Sequence, residues 1–215
     1  MLDLIEIKNI LEVEMHIEGI QVAIFDLDDT LYSEKDYVHS GYHAIAEHID
    51  EITDLENKLW EAFEKGQPAI DFVLKDEGVY TKEKASELLD IYRNHYPTIT
   101  LYKGVEELFK FLRSQGIRIG IITDGRPNGQ HNKIKALDLE KYCDEIIVTD
   151  ELGGVEFRKP APTAFEKMQK DFKVEFREMV YVGDNIKKDF IAPQKLGMRA
   201  IWYRNVLGLY NKSEH

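Results

Sequence analysis

Three aspartates stand within four residues in the segment Phe25-Asp26-Leu27-Asp28-Asp29-Thr30-Leu31. Like charges gathered so closely repel one another, and the arrangement makes sense where a cation is shared. Carboxylate oxygens suit magnesium, which takes one or two carboxylates together with waters and phosphate oxygens. Asp26 and Asp28 are two residues apart, so an extended segment projects both side chains to the same side. One can attack an electrophile while the other handles a proton. Alone, the segment reads equally well as a solvated acidic turn.

Three later segments have a related character. In Ile121-Ile122-Thr123-Asp124-Gly125 a hydroxyl precedes a flexible turn, where Thr Oγ and backbone N–H groups can meet a phosphate oxygen. The same letters also spell an ordinary Asp-Gly turn. Phe157-Arg158-Lys159-Pro160 puts a lysine just before a turn and helix, and Val182-Gly183-Asp184-Asn185, with Asp189 five residues past Asp184, groups carboxylates again. Helix capping by Asp184 is the plain structural alternative there.

These segments need elements to bring them together. Val22-Ala23-Ile24-Phe25, Ile117 to Ile122, Ile146-Ile147-Val148, Met179-Val180-Tyr181-Val182 and Ala200-Ile201-Trp202 are short, continuous apolar runs. Such runs mark strands buried on both faces of a parallel sheet. Between them, Val105, Leu108, Phe109 and Leu112 recur at helical spacing before Gly116, and Ala164, Phe165 and Met168 follow Pro162 in the same way. Alternating strands and helices predict a doubly wound α/β fold, in which the ligand site gathers outside the carboxyl ends of the strands.

From Asp28 to Thr123 is 95 residues, whereas a strand-helix-strand unit needs about 30. The surplus is an insertion over residues 33–98, helical by its spacing: Tyr42, Ile45, Ala46 and Ile49, then Leu59, Ala62 and Phe63, then Leu88, Leu89 and Tyr92. Gly66-Gln67-Pro68 and Asp76-Glu77-Gly78 punctuate it as turns. We read it as a small cap, with Trp60, Phe63 and Phe72 expected in its core. Residues 1–20 form an N-terminal extension in which Leu2, Ile5, Ile7, Ile10 and Leu11 line either a helix face or a short strand. The remaining core is 21–32 and 99–215.

In order and spacing, the DLDDT box, Thr123, Lys159 before Pro160, and Gly183 to Asp189 (GDNIKKD) resemble the four motifs of the haloacid dehalogenase-like superfamily, in particular its phosphatases with a helical cap after the first strand. The resemblance runs from about Gln21 to Trp202. It implies a Rossmann-like core with the first motif's strand central, Asp26 as nucleophile, and Asp28 as general acid and then base. Thr123 and the Asp124 amide would hold phosphoryl oxygens, and Lys159 would balance charge beside Asp26. Asp184, the Asp26 carboxylate and the Asp28 carbonyl would bind Mg2+, with Asp189 supporting them. Dehalogenases of this superfamily lack the second aspartate, so Asp28 argues for a phosphomonoester substrate. A phosphosugar mutase and a non-catalytic phosphoryl-binding protein are the alternatives. A signalling receiver domain also clusters acids and uses a Thr and a Lys, but the long insertion and GDNIKKD do not fit it.

Other residues carry less. Tyr32, Tyr37, His39, Tyr42 and His43 follow the nucleophile box and could contact a leaving group. The His39/His43 pair lacks a Cys or further His and reads as solvated. Arg126, Lys187 and Lys188 read as surface residues, the two lysines on the last crossover helix.

The formal net charge of -12 disfavours nucleic acid and anionic membranes as partners and leaves a small phosphorylated metabolite as the expected one. Cys143 is the single cysteine, so no intramolecular disulfide forms. With no secretory signal or long apolar stretch, the expected location is the cytoplasm. The sequence leaves the oligomeric state open.

Overall fold

In a computed structural model that describes residues 4–209, the chain forms two compact units. One holds the residues up to Glu34 and from Thr100 onward; the other is Lys35–Ile99. Leu2, and residues 210–215 of the expected core, lie outside the described residues.

The first unit is built on a parallel sheet of six strands: β1 (Leu4–Ile7), β2 (Val22–Phe25), β3 (Arg118–Thr123), β4 (Glu145–Val148), β5 (Met179–Gly183) and β6 (Arg199–Tyr203). Their spatial order is β1-β6-β5-β2-β3-β4, every neighbouring pair parallel. The chain switches direction across the sheet at β2, so the crevice at a doubly wound sheet's switch point opens beside β2. β2 is paired on both sides and all four of its residues are buried, which is why its run is apolar throughout rather than alternating.

Two helices show how the faces are covered. On α5 (Val105–Ser114), Val105, Leu108, Phe109 and Leu112 form one buried stripe, and Phe109 meets Phe25 edge-on at 5.2 Å. On α7 (Thr163–Phe172), Ala164, Phe165, Met168 and Phe172 do the same within a cluster that includes Ile24, Ile122 and Tyr181. The spacing of these apolar residues is that of a helix with one face on a core.

The start of the chain is part of this unit. Leu4–Ile7 pairs in register with β6, Leu4 opposite Ala200 and Ile7 opposite Tyr203. A 3-10 helix over Ile10–His16 follows, capped by Asn9 and Glu12 in a reciprocal box, and buries Ile10 and Val13. The sequence left helix and strand open for this segment because four residues are too few to show a period.

The second unit has its own core. It contains most of α1 (Glu34–Ala46), then α2 (Leu55–Glu64), α3 (Ala69–Asp76) and α4 (Lys82–Asn94), which bury Val38, Tyr42, Ile45, Leu59, Ala62, Val73, Leu74 and Leu88 together. The sequence placed the insertion at 33–98, while the compact unit runs over 35–99. Helix α3 falls between the two turns read from the sequence; eight residues give little more than two turns of pattern. Phe72, expected in the core, is exposed. No helix among the described residues is long and apolar enough to cross a membrane.

Ile10 is 2% exposed, so Ile10→Ala is expected to destabilise the protein by roughly 2–5 kcal/mol. Equilibrium urea unfolding checks this, and an unchanged midpoint would mean that the segment adds nothing to the core.

Candidate active site

The chain leaves β2 at Asp26, whose N–H donates to Val182 O on β5 at 2.8 Å. The Asp26 carboxylate therefore starts from backbone held between two central strands, and it is 3% exposed. Lys159, from the loop before α7, reaches it: Nζ lies 2.5 Å from Asp26 Oδ1 and 2.9 Å from Asp189 Oδ1, and donates to the Tyr181 hydroxyl at 2.8 Å. No part of the Lys159 side chain is exposed. Burial disfavours its charge, yet Asp189 and Asp26 overcome this and hold the ammonium well above the ordinary lysine range. Burial pushes Asp26 up to about 6, against the pull of Lys159.

Asp28 is held separately. Its carboxylate accepts hydrogen bonds from Lys133 Nζ (2.6 Å), Gln130 Nε2 (3.1 Å) and the Tyr32 hydroxyl. Burial works against ionisation, but these donors, Lys133 foremost, bring Asp28 below the usual carboxylate range. Gln130 also donates to Thr123 Oγ1 at the end of β3, linking the β2 and β3 loops. Both Gln130 and Lys133 lie on α6 (Pro127–Ala136), three residues apart and so on one face, and both are buried.

The end of β5 supplies the remaining acids. The Asp184 carboxylate accepts a long hydrogen bond from Thr30 (3.4 Å). Burial, with the nearby charges of Asp26 and Asp189, pushes it up to about 9. Asp189 Oδ2 accepts the Asn185 N–H at 2.9 Å, and this approach requires Gly183: a Cβ there would stand 2.6 Å from that oxygen. One carboxylate oxygen from each of Asp26, Asp184 and Asp189 lies within 4.8 Å of the others. These are hard oxygen donors, the charges of Asp26 and Asp189 raise the proton affinity of Asp184, and the set fits a small divalent cation. The Asp28 carboxylate is outside the group, occupied by α6; the sequence expectation for Asp28 concerned its backbone carbonyl.

Asp124 organises rather than projects. Its carboxylate accepts the Lys159 N–H and the Thr149 hydroxyl at 3.0 Å each and binds Lys188 Nζ at 3.0 Å. Lys188 thereby corrects its sequence reading: residues 186–190 form turns, helix α8 (Ile191–Leu196) starts later, and the lysine turns inward. The helix is preceded by Phe190, so Asp184 does not cap it. Arg158 makes a two-pronged pair with Asp150 (2.7 Å each). A cleft of about 310 Å³ is lined by Asp26, Asp28, Glu34, Asp124, Arg158, Lys159, Asp184 and Lys188. Acids outnumber bases in this lining, and a divalent cation would favour the ionised forms of Asp26 and Asp184, whose proton affinities are raised.

All the residues singled out from the four motifs thus come to the carboxyl ends of the central strands. Of the aromatic residues flagged after the nucleophile box, Tyr32 hydrogen-bonds Asp28, whereas Tyr37 and Tyr42 are buried side chains of α1. His39 and His43 lie on α1 and share the Glu56 carboxylate (3.4 and 2.8 Å). Arg126 is exposed. The sequence missed Gln130, Lys133, Lys188 and Tyr181. The available signal for the first two was a helix nearly devoid of apolar residues, PNGQHNKIKA, that must still face a core.

Fold and site together define an α/β enzyme with an acidic, cation-ready cleft at its switch point. The chain matches the haloacid dehalogenase-like hydrolase family over residues 23–203 and belongs to it. It is 27% identical over 197 residues to the glyceraldehyde 3-phosphate phosphatase of Pyrococcus abyssi (86% of this chain, 82% of that one). It is 24% identical over 193 residues to the pyrophosphatase PpaX of Halalkalibacterium halodurans (84% and 81%). Its fold is that of YfnB from Bacillus subtilis, whose crystal structure is bound to magnesium: TM-score 0.63 with 19% identity, covering 85% of this chain and 86% of that one. The chain is a phosphatase-type member of its family.

Lys159→Met leaves the buried Asp26 and Asp189 without their shared cation. Denaturant unfolding in the presence of a chelator is expected to show a loss of roughly 3–5 kcal/mol; a loss under 1 kcal/mol would mean that the lysine does not hold these carboxylates.

Proposed function

We propose that the protein hydrolyses small phosphomonoesters in a magnesium-dependent reaction through an aspartyl-phosphate on Asp26. The observation that carries this reading is Lys159 bridging Asp26 and Asp189 at 2.5 and 2.9 Å beside Asp184. A carboxylate nucleophile is needed at the phosphorus, and positive charge is needed around the oxygens that repel it. Asp26, Asp184 and the Asp28 carbonyl, with Asp189 behind them, are the groups that would hold Mg2+, which when bound lends Lewis-acid charge to the phosphoryl oxygens.

The protein's own groups perform the rest. Asp26 attacks phosphorus in line and the ester bond breaks, leaving an acyl phosphate. Asp28 gives a proton to the departing oxygen, then takes one from the water that hydrolyses the acyl phosphate. Lys133, Gln130 and Tyr32 favour ionised Asp28, the form that takes the water's proton in the second half, so the proton given to the leaving oxygen comes from the minor, protonated form. In this reading Thr123 and the Asp124 amide hold phosphoryl oxygens, and Lys159 and Lys188 offset their charge. The organic part of the substrate is a small polar metabolite.

Phosphate release from a panel of phosphomonoesters tests this. Turnover is expected with Mg2+ and not with chelator. Asp26→Asn should lose at least about 10³-fold in kcat and Asp28→Asn about 10² to 10⁴-fold. Turnover retained in Asp26→Asn would overturn the nucleophile assignment.

A further inference from the structure

Glu34 lines the cleft, and the proposed reaction has no use for it. It is the first residue of α1, and its N–H donates to Asp29 Oδ1 at 2.9 Å, which fixes its backbone. Its carboxyl oxygen Oε2 is buried and has no hydrogen-bond partner among the described residues. Burial, together with the charges of Asp28 and Asp29, pushes Glu34 up to about 8. The cations of the cleft are committed elsewhere: Arg158 to Asp150, Lys159 to Asp26 and Asp189, Lys188 to Asp124. A buried acceptor without a donor is costly to maintain unless a ligand completes it.

The position of Glu34 says which part of a ligand. Its backbone is tied to Asp29, the neighbour of Asp28, and Asp28 and Glu34 line the same cleft; Asp28 is the group that the reading above places at the leaving oxygen. In that reading Glu34 stands on the side of the leaving alcohol.

We propose that Glu34 is a specificity-determining residue whose carboxyl accepts a hydrogen bond from a hydroxyl or ammonium donor on the leaving alcohol, so that the enzyme selects phosphomonoesters of small polyols or amino alcohols over those of plain alkanols. A site built to meet a donor rejects the analogue lacking it, because the buried acceptor is then left unpaired. The inference rests on the phosphomonoesterase reading, and its test is arranged so that the two can fail separately.

The experiment is steady-state kcat/KM with Mg2+ for the wild type, Glu34→Gln and Glu34→Ala on four esters: p-nitrophenyl phosphate, propyl phosphate, glycerol 1-phosphate and O-phosphoethanolamine. The wild type is expected to prefer a donor-bearing ester over propyl phosphate by at least about tenfold. In Glu34→Ala that ratio should fall to near one, mainly through KM. Glu34→Gln separates the two donors: an amide oxygen still accepts from a hydroxyl, whereas only the carboxyl can ionise to balance an ammonium. Retained preference for glycerol 1-phosphate in Glu34→Gln assigns the polyol, and lost preference for O-phosphoethanolamine assigns the amine. Turnover of p-nitrophenyl phosphate with no wild-type preference, or an equal loss on all four esters in both variants, overturns the role of Glu34 while the phosphatase reading stands. No turnover of any ester by the wild type overturns both.

Discussion

The buried ammonium of Lys159 between Asp26 and Asp189 is the constraint around which the first unit is arranged. An ion out of water is tolerated only where its partners are fixed at hydrogen-bond distance. The lysine and its two partners come from three places in the sequence, and the sheet order is what makes them neighbours. β5 and β3 flank β2, so the loops after β2 and β5 open side by side, and the tie from Asp26 N–H to Val182 O fixes their relative height. Gly183 then lets the Asp189 carboxylate fold back under the β5 loop. One lysine facing two carboxylates still leaves a negative charge in the core. That residue of charge, rather than any single distance, makes the cluster receptive to a cation.

Charge is distributed in the cleft by a second tier of contacts. Asp124 anchors the backbone of Lys159 and the ammonium of Lys188 with one carboxylate, and two cations beside it keep it below the usual range in spite of burial. Lys133 and Gln130 occupy Asp28. The two aspartates of the nucleophile box are thus drawn to opposite proton affinities: Asp26 raised by burial and crowding, Asp28 lowered by its donors. Dividing attack from proton transfer asks for the reverse order, an ionised nucleophile and a protonated acid, and a cation held by Asp26 and Asp184 would lower Asp26 toward it.

Much of this was legible in the sequence, for an identifiable reason. Strands buried on both faces leave unbroken apolar runs, so β2 to β6 could be read directly, and the motifs at their ends were placed by the rule that α/β sites gather there. β1 and α3 were not legible because each is too short to display its period. Lys133 and Lys188 escaped because charged residues in polar segments read by default as solvated. Both are turned inward by carboxylates distant in sequence, Asp28 at 105 residues and Asp124 at 64, and separations of that kind carry no local pattern. Sequence alone also treated Asp26, Asp28 and Asp29 as one acidic cluster, whereas the fold gives the three different partners.

Asp29 shows what the third carboxylate does. Its backbone adopts a left-handed turn, with φ of 53°, a conformation that aspartate tolerates better than bulkier residues. Its side chain then accepts the N–H of Glu34 with one oxygen and that of Leu209 with the other (2.9 and 2.7 Å), while its carbonyl accepts from Asn205 at 2.8 Å. A single buried residue therefore joins the nucleophile loop, the first turn of the helix that leads into Lys35–Ile99, and the segment after β6. Because the sharp turn at Asp29 redirects the chain just after Asp28, the proposed acid–base group and the start of α1 are fixed relative to each other. The turn that follows Asp28 thus also sets where Glu34 enters the cleft.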